Sequence, residues 1–224
     1  SGYGEQVAPL PEYLTGTHVT LFGPPDDPKL SLNAMNAYHR KLRDEPNIVT
    51  ELLASAIRSR GIPKWGADDE DSKTPLRKDL ISAGENLSHC FSGDFNFKDP
   101  QSGKNYQLCE VKRSIPIKRF PGLAIPSPFL FYDENPIPLH LYDFSLHLFR
   151  NWKNPDALAF YVPKLENEDE AAYIRKMVVA AETKIHADHP EYKIGTVRLF
   201  VVLENPRAIF RVNEIMDELY PYFA

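Results

Sequence analysis

The last third of the chain constrains the fold most. Leu158–Ala159–Phe160–Tyr161–Val162 is a short apolar run closed by Pro163–Lys164–Leu165–Glu166, and Ile174, Met177, Val178, Ala181 and Ile185 then recur on one helix face. After Pro190 and Gly195 a second apolar run, Val197 to Leu203, stops on the carboxylate of Glu204. Asn205–Pro206 breaks that pattern, and Pro206 suits the first turn of a helix carrying Ile209, Val212, Met216 and Leu219 on one face. Strand, long helix, strand, helix is a βαβα unit, which requires a parallel sheet with right-handed crossovers. A strand that ends on an acid and turns straight into a helix is how a (β/α)8 barrel presents catalytic or metal-binding groups at its C-terminal rim. The expected fold is therefore α/β of the TIM-barrel type.

At 224 residues and 42% hydrophobic content the chain can bury a sizeable core. The expected division is an N-terminal helical segment, residues 1–62, followed by barrel, residues 63–224. A net charge of −5 without a Lys/Arg stripe argues against a nucleic-acid partner. No apolar run approaches the roughly 20 residues of a membrane helix, so no membrane partner is expected. The N-terminus lacks a basic and apolar signal pattern, and the expected location is cytoplasmic, or peroxisomal or glyoxysomal in a eukaryote. Cys90 and Cys109 have no metal-ligand spacing and read as reduced structural thiols. No glycine-rich phosphate loop of either common type is present, and the seven histidines form no metal-ligand pair on a common helix face.

Upstream, His18–Phe22 reads as a strand and Gly23–Pro28 as a loop leading to Lys29. A helix is expected from Ser31. On it Asn33 and Asn36 either face one site or satisfy backbone groups, and the second reading is preferred. A second helix follows Pro46–Asn47, with Val49, Leu52, Leu53, Ala56 and Ile57 as its buried face. Ile62–Ala67 is a short strand running into four consecutive acids, Asp68–Asp69–Glu70–Asp71. That run is either a solvated loop or a rim site whose charges need a cation or hydrogen-bond donors. A β-hairpin is expected near 94–111, around the turn Asp99–Lys104. Taken alone, Lys118–Arg119 reads as surface charge, Tyr132–Pro136 as a turn and Leu141–Trp152 as a helix.

Several of these segments, in order, resemble malate synthases: LPEYLTG and FGPPDDPKLSLNAMNA within Leu10–Ala37; Ala67–Ser72 with Pro75; Phe97–Pro100, Ser102–Lys104 and Tyr106; Tyr142–Asp143–Phe144; Tyr161–Glu166; and Val202–Glu204 with Phe210, Glu214–Ile215 and Glu218–Leu219. The resemblance implies a (β/α)8 barrel that joins acetyl-CoA to glyoxylate with magnesium. It marks Glu204 as the metal ligand, and Glu70 and Asp71 as groups that hold metal-bound water and shape the site. Arg119, found by counting back from Asp143, becomes the catalytic arginine that polarises the aldehyde oxygen. Lys29 falls near bound CoA, although a lone lysine reads as surface charge before it reads as a ligand.

Two departures follow. The family surrounds its arginine with Arg–Gly–Trp, whereas this chain has Lys118–Arg119–Phe120–Pro121–Gly122–Leu123. The family's second metal carboxylate and its aspartate base lie beyond the matched stretch. The resemblance therefore implies a partial barrel, completed by further barrel and a C-terminal domain from the same or another chain, and no turnover by the 224 residues alone. A related malyl- or citramalyl-CoA lyase, and a non-catalytic homologue that binds CoA-like ligands or assembles with a partner, are the alternatives.

Overall fold

The short apolar runs become parallel strands and the amphipathic stretches become helices in a computed structural model that describes residues 10–15, 19–59, 61–72 and 76–224. His18, predicted to begin the first strand, and Pro75 of the acidic segment lie outside the described residues. Two units are distinguished, Pro11–Ile117 and Lys118–Ala224, the latter joined by Leu10.

In Pro11–Ile117, β1 (Val19–Gly23) and β2 (Lys64–Asp68) pair in parallel, with Phe22 opposite Gly66 and Gly23 opposite Ala67. A Cβ at Gly66 would lie 2.1 Å from the Phe22 ring, so any larger residue there would displace that ring. Helix α1 (Pro28–Met35) begins before the predicted Ser31 because Asp27 caps it, accepting the Lys29 and Leu30 amides at 2.8 and 3.0 Å. At its far end Asn36 donates to the Gln107 carbonyl at 2.7 Å and accepts the Cys109 amide at 2.9 Å, a backbone-satisfying role.

Helix α2 (Asn47–Arg58) has the predicted period but no buried residue, and Ile48 and Leu52 are 56% and 62% exposed. Periodicity makes the apolar face; burying it takes a partner surface. Helix α3 (Arg77–Ser92) stops at Gly93, whose φ of +83° gives the left-handed cap. Strands β3 (Asn96–Lys98) and β4 (Asn105–Gln107) form an antiparallel hairpin in the predicted segment. Leu32, Met35, Trp65, Leu87, Cys90 and Phe95 make the core, and the Trp65 indole donates to the Met35 sulfur at 3.3 Å. Strand β5 (Ile115–Arg119) starts in this unit, its Ile115 amide donating to the Pro63 carbonyl at 2.8 Å.

In Lys118–Ala224, β6 (Pro126–Tyr132) and β7 (Asn135–Pro138) form a ribbon. The predicted turn is its two-residue tip, Asp133–Glu134, with φ of +45° and +64°. Helix α4 (Leu139–Asn151) leads to β8 (Ala159–Val162), and helix α5 (Glu168–Asp188) leads to β9 (Arg198–Val201). Lys118 and Arg119 of β5 lie opposite Phe160 and Tyr161, and β8 pairs with β9 from Ala159–Arg198 to Val162–Val201, all in parallel. Helix α5 is capped by Asn167, which accepts the Glu170 amide at 3.0 Å, while the Glu170 carboxylate accepts the Glu166 amide at 2.6 Å. Buried Glu182 holds the turn into β9 by accepting from the Tyr192 hydroxyl at 2.6 Å and the Gly195 and Val197 amides at 2.8 and 3.0 Å.

The predicted last helix is two, α6 (Pro206–Ile209) and α7 (Val212–Leu219). The break at Phe210–Arg211 resets the helical phase, so Ala208, Ile215 and Leu219 are buried while Ile209 is exposed. Beyond it Phe223 bridges Leu199 in parallel. Phe120, Phe144 and Phe160 form the aromatic centre, the last two with ring centroids 4.8 Å apart.

Candidate active site

Because β5, β8 and β9 are parallel, their C-terminal ends share one edge. Arg119 is the last residue of β5, level with Tyr161, and Glu204 follows β9, whose Val201 is level with Val162. Adjacent strands lie 4.7–4.9 Å apart, so β5 and β9 are separated by about 10 Å. The structure thus brings Arg119 and Glu204 to the same end of one sheet.

Arg119 is 4% exposed, and its guanidinium carbon lies 5.3 Å from the centroid of the Tyr161 ring. Glu204 is exposed, and its Oε1 accepts the Lys164 amide at 2.7 Å. Lys164 has a φ of +56°, so the turn after β8 is bent to reach that carboxylate.

The surface reading of Lys118–Arg119 is corrected: both are buried. Strand alternation sends Lys118 to the helix side, where its Nζ lies 2.9 Å from Oδ2 of the buried Asp143 on α4. Burial pushes the Asp143 carboxyl up, against the pull of the Lys118 ammonium. On the same helix His147 donates from Nε2 to the Ala157 carbonyl at 2.8 Å, and burial, followed by the Lys118 charge, brings its pKa down to about 3. His140 shares a 2.8 Å hydrogen bond with the Tyr173 hydroxyl, and burial brings it to about 4. Both imidazoles are therefore neutral at pH 7.

The acidic run begins at the end of β2, in the Pro11–Ile117 unit. Asp68 and Asp69 are buried, and Asp68 Oδ1 accepts the Glu70 and Asp71 amides at 3.0 and 3.2 Å. Glu70 is half-buried and Asp71 exposed, so only the second half of the run faces solvent. Lys29, in the same unit, is held against the hairpin: its Nζ is 3.4 Å from Asp99 Oδ2 and 5.7 Å from the Tyr106 ring centroid. Tyr106 and then Asp99 raise its pKa, while the Ser102 hydroxyl and Gln101 amide hold Asp99 down at about 2. Among the described residues no three His, Cys, Asp or Glu side chains form a metal-binding group. No helix of the described residues is long and apolar enough to cross a membrane. Cys90 and Cys109 are both free thiols.

Sequence reasoning missed the role of Tyr161 beneath Arg119 and that of Asp143 against Lys118. The only signal was that both lie in segments that carry the family resemblance; their partners depend on strand register.

No family model matches the chain. Over 220 residues it is 28% identical to a malate synthase of Streptomyces clavuligerus, which covers 96% of this chain and 35% of that protein. A glyoxysomal malate synthase of Cucumis sativus is 26% identical over 219 residues, covering 95% of this chain and 33% of its own length. The chain is a homologue of the malate synthases. It spans about a third of the length of these curated relatives. Among solved structures, a Haloferax volcanii malate synthase in a magnesium/glyoxylate complex gives a TM-score of 0.47 at 15% identity, covering 91% of this chain and 47% of that one. The malate synthase match in sequence covers 96% of the chain and so extends into both units.

Proposed function

We propose that this malate synthase homologue forms part of an acyltransferase that condenses acetyl-CoA with glyoxylate to give malate and free CoA, on a (β/α)8 barrel to which its parallel strands belong. The observation that carries the reading is the shared edge: buried Arg119 ends β5 and exposed Glu204 follows β9, at the C-terminal ends where such barrels do chemistry.

In that reaction a base removes a proton from the acetyl methyl group, and the resulting enolate carbon attacks the aldehyde carbon of glyoxylate. The aldehyde oxygen takes up the negative charge and then a proton, and water cleaves the thioester to release CoA. Arg119 presents a rigid fork of N–H donors to that oxygen as charge grows on it. Glu204 supplies a hard carboxylate oxygen suited to magnesium, oriented by the Lys164 amide. One such carboxylate suits an ion that leaves its other positions to substrate and water. Bound magnesium would supply Lewis-acid polarisation of the glyoxylate oxygens.

The resemblance assigns Glu70 and Asp71 to holding metal-bound water and Lys29 to the neighbourhood of a CoA phosphate. The resemblance assigns the general base to an aspartate outside the shared stretch, contributed with the remaining barrel and a C-terminal domain by the same or another chain. The reaction is assigned to the cytoplasm, or to peroxisomes or glyoxysomes in a eukaryote.

The test is CoA release from acetyl-CoA by the protein as purified from its source. Release should require both glyoxylate and magnesium, cease with a chelator and return with added magnesium. Arg119→Gln should lower kcat about 100- to 1,000-fold, and Glu204→Gln should raise the magnesium needed for half-activity by about tenfold or more. Cleavage of malyl- or citramalyl-CoA without glyoxylate-dependent release would replace this reading with the lyase. Binding of CoA with neither reaction would leave a non-catalytic role.

A further inference from the structure

We propose that Tyr161 is a positioning residue for Arg119, its ring serving as the platform that holds the guanidinium in one orientation at the sheet edge. The inference rests on the reading of Arg119 as the group that polarises the aldehyde.

The argument starts from strand register. Lys118 lies opposite Phe160 and Arg119 opposite Tyr161 across the parallel pair β5–β8. Successive side chains of a strand point to opposite faces. Lys118 meets Asp143 on α4, and the Phe160 ring packs against Phe144, tilted, and His147, edge-on, of the same helix, with centroids 4.8 and 5.4 Å apart. Lys118 and Phe160 therefore define the helix face of the sheet, and Arg119 and Tyr161 share the other.

On that other face the guanidinium lies over the tyrosine ring, within the distance at which the ring's quadrupole attracts a cation. An arginine side chain has several soft torsions, and each one frozen when substrate binds costs entropy. A ring fixed to a neighbouring strand removes much of that freedom beforehand, so the donors are already directed when the aldehyde arrives. The Lys118–Asp143 pair acts from the opposite face. A one-residue slip of β5 would exchange the faces of Lys118 and Arg119, and it would break this buried ion pair. The attraction is to the ring face and not to the hydroxyl, so phenylalanine should serve and an aliphatic side chain should not.

The experiment uses the protein as purified from its source and follows CoA release with glyoxylate varied. Tyr161→Leu should lower kcat about 10- to 100-fold with a much smaller change in KM for glyoxylate, and Tyr161→Phe should restore kcat to within about threefold of the parent. In an Arg119→Lys background Tyr161→Leu should cost little more, because the group it orients is gone; a merely structural role would repeat its full loss there. If Tyr161→Leu melts well below the parent, Tyr161→Met carries the same comparison with a more adaptable side chain. The platform role is overturned if Tyr161→Leu keeps the parent kcat, if Tyr161→Phe is as slow as Tyr161→Leu, or if the loss recurs in full beside Arg119→Lys. Arg119→Lys at full kcat overturns the reading of Arg119 itself and the platform with it. A crippled Arg119→Lys beside an intact Tyr161→Leu removes the platform alone.

Discussion

Lys118 and Arg119 are adjacent in the chain, both cationic and both buried, yet strand alternation gives them different tasks. The ammonium of Lys118 is taken up by Asp143, whereas Arg119 lies over an aromatic ring with its fork at the sheet edge. A buried pair of this kind is costly to break and cheap to remove whole, because deleting one member strands the other charge in low dielectric. Lys118→Met alone or Asp143→Asn alone should destabilise the fold by about 3–5 kcal/mol, and Lys118→Met with Asp143→Leu by much less. Urea unfolding of the three variants reads this directly. Equal losses in single and double variants would mean that the packing of the stems, and not the charges, holds this position.

Two elements carry predictions of their own. Helix α4 buries His140 and His147 in neutral form, with burial lowering them to about 4 and about 3. An unfolded histidine titrates near 6.5, so on acidification the unfolded chain takes up these protons first. Their contribution is therefore complete above about pH 6.5 and is lost as pH falls from there toward 4 and 3, by up to about 1.4 kcal/mol per pH unit for each group. Asp143, pushed up by burial, works in the opposite sense and softens the decline. Denaturant unfolding at pH 7 and 4.5 should show the fall, and His147→Gln should make it shallower; an unchanged slope would remove His147 from the account. The ribbon tip between β6 and β7 is the other case. Glu134 sits at a φ of +64°, a conformation that costs a side chain roughly 1–2 kcal/mol. Glu134→Gly should raise the melting temperature by about 2–4 °C, and calorimetry showing no rise would place the weak point elsewhere.

At the scale of the whole molecule, the resemblance implies an aspartate base beyond the matched stretch, and on that expectation the 224 residues alone should show no glyoxylate-dependent CoA release. Malate formed by this polypeptide alone would refute that expectation. Local pattern was enough for the βαβα unit, the hairpin near Asp99 and the acid that follows the last strand, because helical period, strand alternation and turn residues are short-range properties of the chain. The order of segments was enough for the malate synthase likeness. Where pattern alone misled, the deciding quantity was long-range. The apolar face of α2 follows from its period, but burial depends on a partner surface. The last helix broke at Phe210–Arg211, and the buried set shifted to Ala208, Ile215 and Leu219. Local pattern shows Lys118–Arg119 only as charge, and the resemblance alone singles out Arg119. That one of its cations meets Asp143 and the other lies over Tyr161 depends on the register of β5 against β8 and on the helix covering one face. The sequence by itself determined which residues carry charge and which segments form strands and helices; only the tertiary structure decided which charges are buried, what each one faces, and that Arg119 and Glu204 share an edge, because those depend on contacts between residues far apart in the chain.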